Sequence, residues 1–199
     1  MKDAEAFTKN NWGNKSETLS GSGSTIANTV NIRRELPLLV ERWNIRSIFD
    51  APCGDGNWIS TIRDQLNCEY SGGDLVESFW QSAASKGLTV NSFDIRESVF
   101  PHADLWLCRA CLYHLPFADI EIAIKNYINS DIPLALITSH VKKDEKRDIK
   151  AGEFRRLVLR EHSYLGLGEP IDSFTDVEHG PQYGNMVEEM LLFRNPRLA

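Results

Sequence analysis

The chain has 199 residues, 42% of them hydrophobic and 25% charged, which suits one globular domain with a sizeable core. Its net charge of −6 gives no overall field that would attract nucleic acid, and no apolar run reaches the roughly 20 residues needed to span a bilayer. The polar opening, 1–13, has no apolar signal segment, so the expected location is the cytoplasm.

Residues 1–24 are polar and end in Ser20-Gly21-Ser22-Gly23-Ser24, a pattern for a flexible arm or for a lid that orders over a ligand. The remainder, 25–199, reads as one domain. The stretch 25–43 is expected to be helical, with Ile26, Val30, Leu36, Leu39, Val40 and Trp43 supplying apolar faces and Pro37 splitting or kinking it. An alternation follows. It runs through a strand at 47–50, a glycine turn, a helix at 58–65, a strand at 69–73 delivering Asp74, and a helix at 79–86. It continues with a strand at 88–93 delivering Asp94, a strand at 104–108, a helix at 117–129 with Pro116 in its first turn, and a strand at 134–139. Strands separated by helical patterns imply right-handed βαβ units, so the expected class is α/β: a doubly wound, mostly parallel, Rossmann-like sheet. Two strand-like runs near the end, 154–159 and 186–193, are expected to pair antiparallel and finish it.

In such a sheet, ligands sit beyond the carboxyl ends of the strands. Asp50, Asp74, Asp94 and Arg109 each follow a predicted strand, so all four should gather along one edge. The most informative segment is Phe49-Asp50-Ala51-Pro52-Cys53-Gly54-Asp55-Gly56, a strand that ends in a carboxylate and enters a glycine turn. Three ligands compete for it. A dinucleotide wants G-x-G-x-x-G, but Ile59 stands where the third glycine belongs, and a pyrophosphate near Asp50 would meet like charge. A nucleoside triphosphate wants Gly-Lys-Ser/Thr after the turn, and none follows. S-adenosylmethionine has no phosphate, and its parts match what is here. Asp50 suits its ammonium, Gly54 and Gly56 allow close backbone approach, and N–H groups of the next helix suit its carboxylate. Asp74 suits the ribose diol, and Asp94 with the Ile95 backbone suits the adenine amino group. Ala51, Pro52 and Cys53 in the turn, Leu75 beside Asp74, and Cys108 and Arg109 at the fourth strand complete the candidate cofactor set.

These residues resemble the class I S-adenosylmethionine-dependent methyltransferases over roughly residues 45–140, with Phe-Asp-Ala-Pro-Cys-Gly-Asp-Gly as the first motif. The wider pattern is similar to a bacterial and phage-type group of small methyltransferases. It rests on Ser-Gly-Ser-Gly-Ser-Thr at 20–25, Asp-Ala-Pro-Cys-Gly-Asp at 50–55, Leu-Cys-Arg-Ala-Cys-Leu-Tyr-His-Leu at 107–115 and Gly-Glu-Phe-Arg-Arg-Leu-Val-Leu at 152–159. Where that group often has an aspartate, this chain has Ala110. The resemblance implies a seven-stranded sheet whose last strand is antiparallel, S-adenosylmethionine as donor, and a site along the strand ends. It does not supply the acceptor.

Methyl transfer needs a base only if the acceptor must lose a proton. His114 and His140, both after apolar strands, are the candidates, set against packing or loop roles. Arg109 could clamp an anionic group or pair with Asp50 or Asp94. Glu153 and Arg155 lie in a segment that could close over an acceptor. Trp12, Trp58 and Tyr113 could stack on a ligand or simply pack, and Arg33 and Arg34 read as a solvated helix face. Cys108 and Cys111 form a lone C-x-x-C without a second pair at zinc spacing, so no metal is expected. The basic stretch 142–160 is interrupted by Asp144, Glu145, Asp148 and Glu153 and reads as a solvated surface. The expected partner is a small-molecule acceptor methylated at O or N, with a sugar or sugar-containing metabolite in mind, and no membrane. A macromolecular acceptor, a non-catalytic cofactor-binding protein and a cofactor-degrading enzyme remain rival readings.

Overall fold

The computed structural model describes residues 4–9 and 17–198. Its elements are helix α1 (Ala4–Lys9), α2 (Val30–Arg42), strand β1 (Ser47–Asp50), β2 (Glu69–Asp74), α3 (Glu77–Ser85), β3 (Val90–Ser92), β4 (Leu105–Cys108), α4 (Phe117–Ile128), β5 (Leu134–His140), β6 (Asp172–Glu178) and β7 (Val187–Arg194). The seven strands form one sheet in the order β3-β2-β1-β4-β5-β7-β6. The first five are parallel neighbours, whereas β7 runs antiparallel to both β5 and β6. None of the described helices is long and apolar enough to cross a membrane.

Strand periodicity builds a core on each face. Ile48, Leu105, Leu107, Leu136, Met190 and Leu192 meet Ile32, Leu36 and Leu39 of α2 on one side. Phe49, Trp106, Ile137, Leu191 and Phe193 meet Ile120, Ala123, Ile124 and Tyr127 of α4 on the other. Both faces of the central strands are covered, so their sequences are apolar throughout. The carboxyl ends of β1, β2 and β4 are left along one edge, on either side of the point where the strand order reverses.

Four expectations are corrected. Pro37 lies inside α2 without ending it; burial of Ile32, Leu36, Leu39 and Val40 outweighs the roughly 3 kcal/mol that an interior proline costs. The stretch 58–65 forms two short 3₁₀ turns, not an α-helix. There the Ser60 and Thr61 hydroxyls donate to the Asn57 and Trp58 carbonyls, which offers the backbone an alternative to helical bonding. Residues 154–158 form no strand, because β7 already occupies the open edge of β5 along its whole length. The strand that pairs with β7 is β6, whose sequence Asp-Ser-Phe-Thr-Asp-Val-Glu is too polar to stand out, as suits a strand at the sheet edge. Finally, Pro116 precedes α4 as its cap residue, not as its first turn.

Candidate functional site

Asp50 and Asp74 are the last residues of β1 and β2, Asp94 lies just beyond β3, and Arg109 directly follows β4. All four line one cleft that opens to solvent. Pro52, Cys53, Gly54, Leu75, Ile95 and His114 line it too. Ala51, Gly56, Cys108 and His140 do not. Ala51 is buried, with its N–H donating to Leu107 O and its carbonyl accepting from Trp106 Nε1. Cys108 belongs to the α4-side core. Gly56 serves packing: at its φ of +68° an added Cβ would lie 2.6 Å from Leu88 Cδ1 and 3.0 Å from Ala83 Cβ. Trp12 lies outside the described residues.

The two strand-end acids are buried yet ordered. Asp50 is 2% exposed and accepts a 2.7 Å bond from the Tyr70 hydroxyl. Burial pushes its pKa up to about 7, against the lowering effect of Tyr70, and Asp74 adds to the rise. Asp74 is 4% exposed. Its Oδ2 accepts from Gly54 N–H at 2.9 Å and its Oδ1 from Val76 N–H at 2.8 Å, so the first glycine turn and the start of α3 aim it. Burial pushes it up to about 6, opposed by those same two bonds. Asp94 differs. Burial alone would raise it, but a two-pronged pair with Arg96 (3.0 and 2.7 Å) and the Arg96 N–H outweigh that and hold it below the ordinary carboxylate value. Arg96 also lines the cleft and reaches Asp119 at 2.9 Å.

Arg109 pairs with neither Asp50 nor Asp94. Its Nε donates to Asp176 Oδ2 at 2.8 Å, and its two terminal nitrogens donate to the Gly23 and Asn28 carbonyls. Asp176 sits where the β6–β7 register shifts between Thr175 and Val177, so it is the extra residue of a β-bulge, a device that re-aims a side chain. Sequence reasoning missed Asp176 because it missed the strand that carries it. Arg109 thereby ties the serine–glycine segment to the far end of the sheet.

That segment walls the cleft through Ser20 and Ser24. Asp55 holds it down: Thr18 Oγ1 and Ser20 Oγ donate to Oδ1 (both 2.9 Å), and Leu19 N–H donates to Oδ2 (2.8 Å). The space above Gly54 is taken by Ser20, whose Oγ would lie 2.7 Å from an added Cβ. Arg33 and Arg34 stay outside the cleft, bonded to Thr29, Ile26 and Glu35.

Of the two histidines, His114 lines the cleft and His140 lies away from it. His114 Nδ1 is 2.9 Å from the Glu153 carbonyl. A carbonyl only accepts, so Nδ1 carries the proton and Nε2 the lone pair. Burial pushes the His114 pKa down to about 4, leaving a neutral imidazole at physiological pH. His140 Nδ1 lies against the Leu157 backbone, 3.1 Å from its nitrogen and 3.3 Å from its carbonyl oxygen. Tyr113 donates to Glu188, which His179 also contacts.

No protein-family model matches this chain, and no curated protein sequence matches it. Several solved structures do. Burkholderia thailandensis 1,6-didemethyltoxoflavin-N1-methyltransferase, solved with bound 1,6-didemethyltoxoflavin and S-adenosylhomocysteine, is 16% identical with a TM-score of 0.63 over 84% of this chain and 79% of that one. Magnesium protoporphyrin IX methyltransferase from Synechocystis PCC 6803, with bound SAM, is 13% identical with a TM-score of 0.61 over 84% and 80%. Human N-acetylserotonin methyltransferase, in complex with SAM, is 12% identical with a TM-score of 0.60 over 83% of this chain; the chain spans only 51% of that protein's length. At these identities the likeness concerns architecture alone: the chain has the fold of the class I S-adenosylmethionine-dependent methyltransferases.

Proposed function

We propose that this chain is an S-adenosylmethionine-dependent methyltransferase acting at oxygen or nitrogen of a small, largely apolar acceptor. The observation that carries the reading is a pair of buried carboxylates, Asp50 and Asp74, in a cleft whose arginines, Arg96 and Arg109, are already committed to Asp94 and Asp176. Such a cleft attracts a cation and repels phosphate.

When bound, S-adenosylmethionine supplies a methyl group on positively charged sulfur. Asp50 would hold the ammonium side. Asp74, oriented by Gly54 and Val76 N–H, has lone pairs left for the ribose diol. The Ser20–Ser24 segment, latched by Asp55 and Arg109, helps to exclude water. Beyond β4 the wall turns apolar, with Ala110, Cys111 and Leu115 beside His114 and with Phe7 of α1. A ring-bearing apolar acceptor suits that wall better than the sugar expected from sequence. His114 Nε2 is the atom placed to take a proton from an acceptor O–H or N–H.

The basic stretch does not favour a macromolecular acceptor. Lys146 pairs with Asp144 and Glu161, Arg147 with Glu145, Arg160 with Glu189, and Arg155 is buried.

The reading is tested by incubating the protein with isotopically labelled S-adenosylmethionine, alone and with a panel of aromatic alcohols, heterocyclic N–H compounds, sugars and RNA. Mass spectrometry then reads the products. Transfer to a small acceptor is expected; failure of the protein to bind the cofactor by calorimetry would overturn the reading.

Two binding results are expected. Asp74→Ala should weaken cofactor binding by about 1.5–3 kcal/mol, the scale of hydrogen bonds to a charged group. Unchanged affinity by titration calorimetry would remove Asp74 from the cofactor site. The second result concerns pH. In the free protein Asp50 is protonated below about pH 7. A bound ammonium favours the carboxylate, so binding should release a proton and affinity should rise by about ten-fold from pH 6 to pH 8. The stability sign is consistent: with a raised folded pKa, the free protein loses stability as pH rises from the ordinary carboxylate value through about 7. The cofactor-induced increase in Tm should therefore be larger at pH 8 than at pH 6. A pH-independent affinity, or an Asp50→Asn variant with the same slope, would remove Asp50 from this role.

A further inference from the structure

The segment 148–155 packs against the turn that carries His114 and makes three bonds to it. Gly152 N–H donates to the His114 carbonyl (2.9 Å), Arg155 N–H donates to the Tyr113 carbonyl (3.2 Å), and the Glu153 carbonyl accepts from His114 Nδ1 (2.9 Å). The last bond decides which ring nitrogen carries the lone pair. The Glu153 carbonyl favours the form with the proton on Nδ1, so whatever holds that carbonyl in place biases the tautomer.

Two side chains hold this segment: Arg147 donates to the Phe154 carbonyl at 2.7 Å, and Arg155 anchors it to α4. Arg155 is 0% exposed, and its guanidinium lies 3.9 Å from the centre of the Phe117 ring at the start of α4. Its Nη1 is 3.5 Å from Asp148 Oδ1, the same oxygen that accepts from Phe117 N–H. Arg155 Nε and Nη2 are buried without hydrogen-bond partners among the described residues. Burying those donors costs about 1–3 kcal/mol each, so an apolar side chain stacked on Phe117 would serve stability better. The arrangement accounts for the arginine as a positional device: its charge over the aromatic face and beside Asp148 fixes how the segment sits on α4.

We propose that Arg155 is a positioning residue, which anchors the 152–155 segment on Phe117 and Asp148 so that the Glu153 carbonyl holds His114 with its proton on Nδ1 and its lone pair on Nε2. The inference rests on the reading of His114 as the proton acceptor, but its test does not need the methyl acceptor. Among the described residues, the groups facing His114 include Glu153 from the segment, Tyr113 from its own turn, Phe154 at 5.9 Å between ring centroids, and the more distant Glu188 of β7 and His140 of β5.

The experiment is ¹⁵N-histidine NMR on the full chain, with the five histidines assigned by single replacement. In the wild type, His114 should show the Nδ1–H form from pH 5 to pH 8. Arg155→Met keeps the stem but loses the charge; His114 should then mix tautomers and titrate closer to its ordinary value of 6.5. Arg155→Lys, which keeps a cation over Phe117, should restore most of the wild-type signal. Phe117→Leu removes the ring under an unaltered Arg155 and should reproduce the Arg155→Met shift; it carries the test if Arg155→Met fails to fold. A folded Arg155→Met or Phe117→Leu protein with unchanged His114 tautomer and titration overturns the proposal. An unchanged turnover in His114→Gln would instead overturn the base role, and leaves the tautomer result readable by itself.

Discussion

Replacing Asp176 with alanine is expected to lower the unfolding free energy by about 3–5 kcal/mol, the cost of breaking a buried ion pair from one side. Asp176 is 2% exposed and makes a 2.8 Å bond to Arg109, which is itself buried. Burial disfavours the charge on Arg109, yet Asp176 more than offsets it and holds the guanidinium above its ordinary pKa. Without Asp176, that cation stays enclosed with only the Gly23 and Asn28 carbonyls as acceptors among the described residues. The serine–glycine segment should loosen with it, so cofactor affinity should fall along with stability. Urea unfolding gives the first quantity and calorimetry the second. A double variant, Arg109→Met with Asp176→Leu, should recover much of the lost stability, because it leaves no charge stranded, but should not recover affinity. A loss near zero in Asp176→Ala would mean that water reaches Arg109 and that the bulge does not seal the site.

His114→Gln should slow methyl transfer by about 10²–10⁴-fold, the usual contribution of a positioned general base, and should leave affinity for S-adenosylhomocysteine unchanged. Single-turnover kinetics separate the two effects; wild-type turnover in the variant would make His114 structural. The pH profile adds a check. With a folded pKa of about 4, His114 remains unprotonated throughout the neutral range, so it should impose no loss of rate until the pH approaches 4. Its effect on stability has the opposite sign to that of Asp50. Between about pH 6.5 and 4 the unfolded chain binds the proton that the folded one refuses, so stability falls as pH drops through that window. In His114→Gln that part of the acid destabilisation should disappear.

Much of this site was legible because strand ends in a parallel sheet converge whatever the details between them. Reading Asp50, Asp74, Asp94 and Arg109 as residues following apolar strands was enough to bring them to one cleft. What those residues then do was less legible. Arg109 looked like a partner for Asp50 or Asp94, but its partner comes from a polar edge strand whose periodicity is broken by a bulge at Asp176. Both histidines were candidate bases, His114 first and His140 after it, on the strength of the apolar strands before them. The cleft takes in only His114, because β5 ends beneath the 154–158 segment, where His140 bonds to Leu157. Likewise, the two glycines of the turn looked alike, and yet Gly54 bonds to Asp74 at the cleft while Gly56 is spent on packing against α3.

The amino-acid sequence by itself determined the parallel part of the sheet, its two covered faces and the gathering of acids at its carboxyl edge, since hydrophobic period and turn chemistry are local properties that neighbouring residues settle among themselves. Only the tertiary structure decided the partner of Arg109, the tautomer of His114 and the role of Arg155. Each of these depends on contacts between segments far apart in the chain, formed by a bulge, a carbonyl and a ring face that leave no periodic trace.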